Sequence, residues 1–305
     1  MSLRTRLLAN LPFSKNELNL LIASAPIRYK EYSIPKRQPN KRREVSQPTP
    51  EIKLIQRWVV ENELNKFPIH ESARAYKKNV GLIANVLPHK NNRYLLKVDF
   101  KDFFPSITNH DFRKFMIGTE FSDDDLHDLS QILFKADHKT KTLRLAIGAP
   151  SSPLLSNILL YSLDSVIHDH CKEIEVTYTR YADDLSFSTN RPNLLTSLYE
   201  NLPILISSGT DIHLTVNIEK TVHTSKGNGR RITGLTITEK NEISIGRERK
   251  RILNAQVFRF KNNLLSIEDI EKLKGYISFL RSVEPEHINR LIQKYGESTI
   301  LALQR

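Results

Sequence analysis

The sequence predicts an α+β chain. Three observations support this. Short apolar stretches bounded by turn residues fill the middle, notably 93-RYLLKVDF-100 and 175-EVTYTRYADDLSFST-189. Helical spacing governs both ends, including nearly all of the last sixty residues. With 305 residues, 39% of them hydrophobic, the chain can bury a sizeable core, shared between two or three subdomains.

Taken in order, residues 13–24 read as a helix that Ser14 can cap. The stretch 32-YSIPKRQPNKRREVSQPTPEI-52 has too many prolines for a helix and reads as strand–loop–strand with a basic tip at 41-KRR-43. Helical spacing resumes over 51–66. Residues 94–100 form a short apolar run ending at an aspartate, expected as a buried strand. Helices are expected over 109–118 and 122–136, the second with Asp123, Asp124 and Asp125 favouring its positive N-terminal end. One long apolar helix is expected over 153–170, then a hairpin over 175–189 with Val176 and Tyr178 on one face and Thr177 and Thr179 on the other. A helix over 194–208, a strand over 212–217 and a hairpin over 231–245 follow. The string 227-GNGRRITG-234 contains a G-x-G, but a strand follows it, so it reads as a turn and not a nucleotide loop. Ser266 and Asp269 cap a helix whose stripe is Ile267, Ile270, Leu273, Ile277 and Leu280. Pro285 opens another helix, and Gly296 ends it.

The charge is unevenly spread. The chain carries +12 overall, with +8 in residues 1–60, +5 in residues 246–305 and −1 between them. Two basic ends around a carboxylate-bearing centre suit a long polyanion passing over a metal site. The single cysteine, Cys171, allows no intrachain disulfide and no cysteine-based zinc site. No run of about 18 apolar residues offers a membrane span. The N-terminal thirty residues are interrupted by charge and show no small-residue cleavage site, so they are not read as a signal peptide. A cytoplasmic protein is expected.

The adjacent pair Asp183 and Asp184, at the tip of the hairpin, needs a cationic neighbour. Asp99, ending the strand 94–100, is the natural third carboxylate. Such a group suits hard divalent ions: Mg²⁺ takes a few carboxylates together with substrate phosphates. Two ions about 4 Å apart suit an in-line displacement at phosphorus.

The runs VDFKDFFPSI, GAPSSPLLSN, YADD and NIEKT occur in this order and resemble the palm motifs of reverse transcriptases, over most of the chain from about residue 28. The resemblance implies a right-hand polymerase fold. Residues 1–93 would be an N-terminal region and fingers. Residues 94–240 would be an RRM-like antiparallel palm carrying YADD, with finger insertions at about 108–147. Residues 241–305 would be a small helical, RNA-binding thumb. It also implies that Asp99, Asp183 and Asp184 bind two Mg²⁺ ions, with Mn²⁺ as an alternative. Phe104 would stack under the deoxyribose and favour dNTPs over rNTPs. The backbone from Phe100 to Phe104 would line the triphosphate, and Tyr181 would lie near the primer end. Ala149, Pro150 and Asn157 would shape the nucleotide contact, although Ile147 replaces the glutamine common in the family. Lys220 would give a proton to departing pyrophosphate. One or two of Lys36, Arg37, Lys41, Arg42 and Arg43 would grip the triphosphate, with Arg43 as the candidate.

The chain is further similar to bacterial retron reverse transcriptases, which carry no connection or RNase H region after the thumb. Their N-A-x-x-H motif reads 85-NVLPH-89 here, with Val86 for alanine, and their V-T-G reads 232-ITG-234. Asn85, His89, Thr233 and Gly234 therefore stand as RNA or primer contacts, with Arg247, Arg249, Lys250 and Arg251 as phosphate contacts at the start of the thumb. Lys272, Lys274 and Arg281 lie on the polar side of the following helix. Retron membership implies binding of a cognate structured noncoding RNA (msr-msd) and DNA synthesis from a guanosine 2′-hydroxyl. The product is branched msDNA, and an accessory effector protein often acts with the enzyme in anti-phage defence. Two alternatives remain at this point: a diversity-generating or abortive-infection reverse transcriptase, and a nucleoprotein scaffold for an effector.

Overall fold

The structure is a computed structural model describing residues 1–35 and 42–304. Lys36, Arg37 and Lys41 of the expected basic loop lie outside the described residues.

Helix α1 (Leu3–Asn10) starts where the Ser2 hydroxyl accepts from the Thr5 N–H. Helix α2 (Lys15–Ser24) starts with a reciprocal capping box between Ser14 and Glu17. Strands β1 (Tyr29–Pro35) and β2 (Arg42–Pro48) form an antiparallel ribbon, with Tyr29 opposite Pro48 and Pro35 opposite Arg42. Helix α3 (Pro50–Val59) opens on a proline, whose fixed φ suits a first turn, and continues into a wider turn over Val60–Leu64. Short α4 (Leu82–Val86) precedes β3 (Tyr94–Lys101), the buried strand expected from sequence. Next come α5 (Phe103–Ser106), α6 (Asn109–Phe115), α7 (Asp123–Leu133) and the small pair β4 (Lys135–Ala136) and β5 (Leu143–Arg144). Helices α8 (Ser152–Leu159) and α9 (Tyr161–Glu173) lead into β6 (Thr177–Tyr181) and β7 (Asp184–Thr189). They are followed by α10 (Leu194–Gly209), β8 (Thr215–Val216), β9 (Val222–Ser225), β10 (Arg230–Ile232), β11 (Leu235–Ile237) and β12 (Ile243–Ser244). Four helices end the chain: α11 (Arg247–Lys261), α12 (Ile267–Val283), α13 (Pro285–Tyr295) and α14 (Glu297–Ala302).

Several expectations need correction. The long helix over 153–170 is two helices meeting at Leu160, where ψ is 12°. Hydrogen bonds from Leu160 N to Ser156 O and from Asp164 N to Leu160 O survive, so the joint is a bend. No proline or glycine marks it, and the fully buried Leu160 ties it to tertiary packing. The strand over 212–217 shrinks to two residues because it pairs only with Phe100 and Lys101 at the end of β3. The hairpin over 231–245 is a three-strand meander, β10-β11-β12. Thr233 and Gly234 turn its first corner with φ of 45° and 80°, the doubly left-handed geometry that a tight hairpin requires. Ile267 is 82% exposed, so the buried stripe of α12 is Leu273, Ile277 and Leu280. Thr179 is buried, so the β6 face opposite Tyr178 is no polar surface.

The chain forms two compact units, each discontinuous in sequence. The first comprises Met1–Lys78, Val98–Leu185 and Thr196–Thr221. Its sheet runs β6-β7-β3-β8 and carries the carboxylates at its tip. Helix α1 is tied to α7 by the bond from Leu3 N to Asp125 and by the Arg4–Asp128 ion pair at 2.6 Å. The second unit comprises Asn79–Lys97, Ser186–Leu195 and Val222–Arg305. There the first half of β3 pairs with β9, Tyr94 opposite Ser225. Val86 and Leu95 join Ile232, Leu253, Leu273, Ile277 and Leu291 in one apolar cluster.

Candidate active site

The end of β3 and the tip of the β6–β7 hairpin meet in the first unit. Phe100 N donates to Asp183 O at 3.1 Å, and Asn217 N donates to Asp99 O at 2.7 Å. These bonds bring Asp99, Asp183 and the segment before β9 to one point. Ala182 turns the hairpin with φ 58°, a left-handed conformation that an alanine adopts only when its surroundings hold it.

A buried polar network beneath the tip does the holding. The Arg180 guanidinium grips Asp164 through Nε (2.8 Å) and Nη2 (2.6 Å), both side chains being fully buried. Its Nη1 donates to Ala182 O at 3.1 Å and to Asn157 Oδ1 at 3.2 Å. Tyr178 donates its hydroxyl to Asp164 Oδ1 at 2.8 Å. Burial, and then the charge of Asp164, push the Tyr178 phenol well above its usual range. An ion pair this deep survives because nearly all of its hydrogen-bonding capacity is used. Sequence reading missed it. The only available signal was an arginine in the middle of an otherwise apolar and threonine-rich strand.

The carboxylates themselves are electrostatically strained. Burial, the neighbouring Asp184 and then Asp99 push the Asp183 carboxyl up to about 6. Asp99 is nearly buried, and its Oδ1 accepts from Lys220 Nζ at 2.7 Å and from Asn217 Nδ2 at 3.1 Å. Lys220 is half exposed and is, among the described residues, the cation paired with Asp99. Negative charge concentrated at one rim suits a hard divalent ion. Among the described residues no three acidic, histidine or cysteine side chains already form a complete metal cage. Mg²⁺ does not require one, because it keeps waters and substrate oxygens in its shell.

The other expected site residues separate into those at the surface and those within the core. Phe104 is partly exposed, with its ring centroid 5.3 Å from Phe103 and 6.5 Å from Tyr76. Tyr181 is partly exposed at the end of β6, and Arg43 is exposed on β2. Pro150 is partly exposed beside Gly148. Gly148 has φ 113°, and an added Cβ would lie 2.9 Å from Val45 Cγ1 and 3.1 Å from Ser46 O. Only glycine allows β2 to approach this turn so closely.

Three of the expected nucleotide-contact residues have their side chains in the core. Phe100 is 1% exposed, its ring stacks on Phe103 at 6.2 Å and its N–H is taken by Asp183 O. Ala149 is 3% exposed and has its methyl in the core. Asn157 is fully buried, donating to Ala75 O at 2.9 Å and accepting from Arg180. Any contact these three make with a nucleotide would be through their backbone.

The second unit brings further corrections. Asn85 and His89 are fully buried and cannot touch RNA in this conformation. His89 Nδ1 shares a hydrogen bond with Ser188 Oγ at 2.7 Å, and Asn92 Nδ2 donates to the same hydroxyl at 2.8 Å. The NVLPH stretch therefore locks a corner. Gly234 lies under Arg249, whose Nη1 donates to Gly234 O at 3.0 Å. Thr233 is partly buried in the same turn. Lys250 is paired with Glu284. Of the basic cluster, Arg247 and Arg251 stay exposed, and so does Arg259, which sequence reading passed over. Lys272 and Lys274 make surface pairs with Asp269 and Glu271. Arg281 is exposed, and its Nη1 donates to Gln304 Oε1 at 3.3 Å. Among the described residues no helix is long and apolar enough to cross a membrane.

A family model described as reverse transcriptase (RNA-dependent DNA polymerase) matches residues 34–238. Retron Ec83 reverse transcriptase of Escherichia coli is 39% identical over 294 residues, covering 95% of this chain and 94% of the relative. Retron Ec86 reverse transcriptase, also of Escherichia coli, is 31% identical over 295 residues, covering 94% of this chain and 88% of the relative. Among solved structures, the foamy viral protease-reverse transcriptase in complex with double-stranded DNA is 17% identical, with a TM-score of 0.49 over 90% of this chain and 43% of that chain.

Proposed function

The chain belongs to the reverse transcriptase family, among the retron reverse transcriptases, and on that premise we propose that it copies its own structured noncoding RNA (msr-msd) into branched msDNA. It is an RNA-directed DNA polymerase. The finer reading has synthesis begin from a guanosine 2′-hydroxyl, with dNTPs as substrates. An accessory effector, an anti-phage role and a cytoplasmic location belong to the same reading. Fingers over 1–93, palm over 94–240 and thumb over 241–305 are proposed as its working parts.

The observation that carries it is the meeting of Asp99 with the strained Asp183–Asp184 tip. Asp99, Asp183 and Asp184 are the residues that would hold two divalent cations. When bound, these ions lower the barrier to attack on the α-phosphate and steady the leaving pyrophosphate. The protein's own groups do the rest. Phe104 presents its ring to the sugar, which favours a deoxyribose. Arg43, exposed on β2, is the proposed grip on the triphosphate. Lys220, half exposed and held only at its tip by Asp99, can swing to give a proton to the departing phosphate oxygen. Arg247, Arg251 and Arg259 give α11 an exposed cationic face suited to RNA phosphates.

The test is to express the chain with its RNA-coding flank, extract nucleic acid and treat it with RNase and debranching enzyme. A discrete short DNA that shifts on debranching and is lost with Asp183→Asn is expected. DNA that depends on Asp183 but never shifts overturns the 2′-priming part alone.

A further inference from the structure

One aromatic residue at the site has no role in the reading above. Residues 72–75 run beside β6, joined to it by a single parallel bridge. Arg180 N donates to Ser72 O at 2.8 Å, Arg74 N donates to Arg180 O at 2.7 Å, and Ala73 pairs with Arg180. Asn157 then fixes Ala75 O at 2.9 Å. At Tyr76 the chain turns with φ 63°. A left-handed conformation costs a bulky L-residue about 1–2 kcal/mol, so it persists only where flanking structure imposes it. The buried Arg180–Asp164–Asn157 network imposes it here.

The strained turn puts the Tyr76 ring beside the reaction centre. The ring centroid is 6.5 Å from that of Phe104, tilted by 41°. Burial of the hydroxyl, and then the nearby charge of Asp183, push the Tyr76 phenol up to about 12. Yet Tyr76 is 47% exposed, so core packing does not explain an aromatic residue in this conformation. Phe104 is supported by Phe103 at 5.3 Å and by Tyr76 at 6.5 Å. Without the Tyr76 ring, Phe104 loses one of these two aromatic neighbours and gains room to rotate.

We propose that Tyr76 is a positioning residue for sugar selection: its ring backs Phe104, keeps that ring against the deoxyribose of the incoming nucleotide, and so sets the discrimination against ribonucleotides. The inference rests on Phe104 as the sugar-contacting residue. Removing a supporting ring acts on a clash of aromatic ring against 2′-hydroxyl, so the effect falls on the ribonucleotide KM more than on the kcat for deoxynucleotides.

The experiment compares kcat and KM for one dNTP and its matching rNTP in primer extension by the full chain. The proteins are wild type, Tyr76→Ala, Tyr76→Leu, Tyr76→Phe and Phe104→Ala, each with its Tm. Tyr76→Ala is expected to reduce the dNTP preference by about tenfold or more, the scale of one shape-based contact. The change should come chiefly through a lower rNTP KM, and Tyr76→Phe should keep the wild-type preference. If Tyr76→Ala fails to fold, Tyr76→Leu, which fills the space without a flat ring, gives the same reading. A preference within about twofold of wild type in the Tyr76 variants, while Phe104→Ala relaxes it, overturns the role of Tyr76 and leaves Phe104 as the gate. An unchanged preference in Phe104→Ala overturns the sugar-gate reading itself and this inference with it.

Discussion

At the scale of single residues the site is a problem in charge. Asp183 has its carboxyl pushed up to about 6 from an ordinary 3.8, first by burial and then by Asp184 and Asp99. The folded chain therefore holds that proton more tightly than the unfolded chain. The associated stability is fully present below about pH 4 and is lost as pH rises through about 6. In chelator-treated protein, Asp183→Asn should raise Tm at pH 8 by a few degrees and change nothing at pH 4. At roughly 1.4 kcal/mol per pH unit, reduced for the remaining solvent exposure, the gain is about 1–3 kcal/mol. Thermal unfolding across a pH series checks this, and equal Tm values at pH 8 would sink it. The aspartates could be found in the sequence because adjacency and motif both mark them. Tyr76 could not, because nothing in a sequence says that a tyrosine will take a positive φ. Asn217 was hidden for a similar reason: its bond to Asp99 depends on how the segment after β8 closes.

At the scale of elements, local chemistry explains much of what could be read. The Ser14 cap of α2, Pro35 and Pro48 at the ends of β1 and β2, and Pro285 and Gly296 around α13 are all short-range signals, and the structure keeps each of them. The bend at Leu160 and the shortening of β8 depend on packing partners far away in sequence, so no local pattern announced them. The Arg180–Asp164 pair is of this second kind. It links β6 to α9 and holds Ala182 O and, through Asn157, Ala75 O. Asp164→Ala leaves a buried guanidinium without its counter-charge and should destabilise the chain by about 3–5 kcal/mol in chemical denaturation. The paired change Asp164→Leu with Arg180→Met should cost clearly less than the single change. A paired cost equal to or above the single one would mean that the network acts through its hydrogen bonds to the backbone and not through charge balance.

At the scale of the whole molecule, the chain alternates between its two compact units, and neither is built from consecutive residues. The sequence could suggest consecutive fingers, palm and thumb, because motifs run in order along the chain. It could not show that residues 79–97 and 186–195 cluster with the C-terminal helices. The apolar cluster of that unit needs Val86 and Leu95 as well as Leu253, Leu273 and Leu291. A fragment spanning 222–305 should therefore show helical far-UV signal without a cooperative melt. Adding a peptide of residues 79–97 should restore part of the cooperativity. A sharp transition in the bare fragment would show that the four helices suffice.

The pairing of Lys97 with Val222 also sets a schedule for the ribosome. The first half of β3 leaves the exit tunnel long before its partner β9 has been synthesised. At about 5–20 residues per second the wait is on the order of ten seconds. During that interval an apolar strand edge has no native partner. Rapid translation of the stretch between them, or a chaperone bound to the nascent chain, would govern the soluble yield of this protein as much as its final stability does.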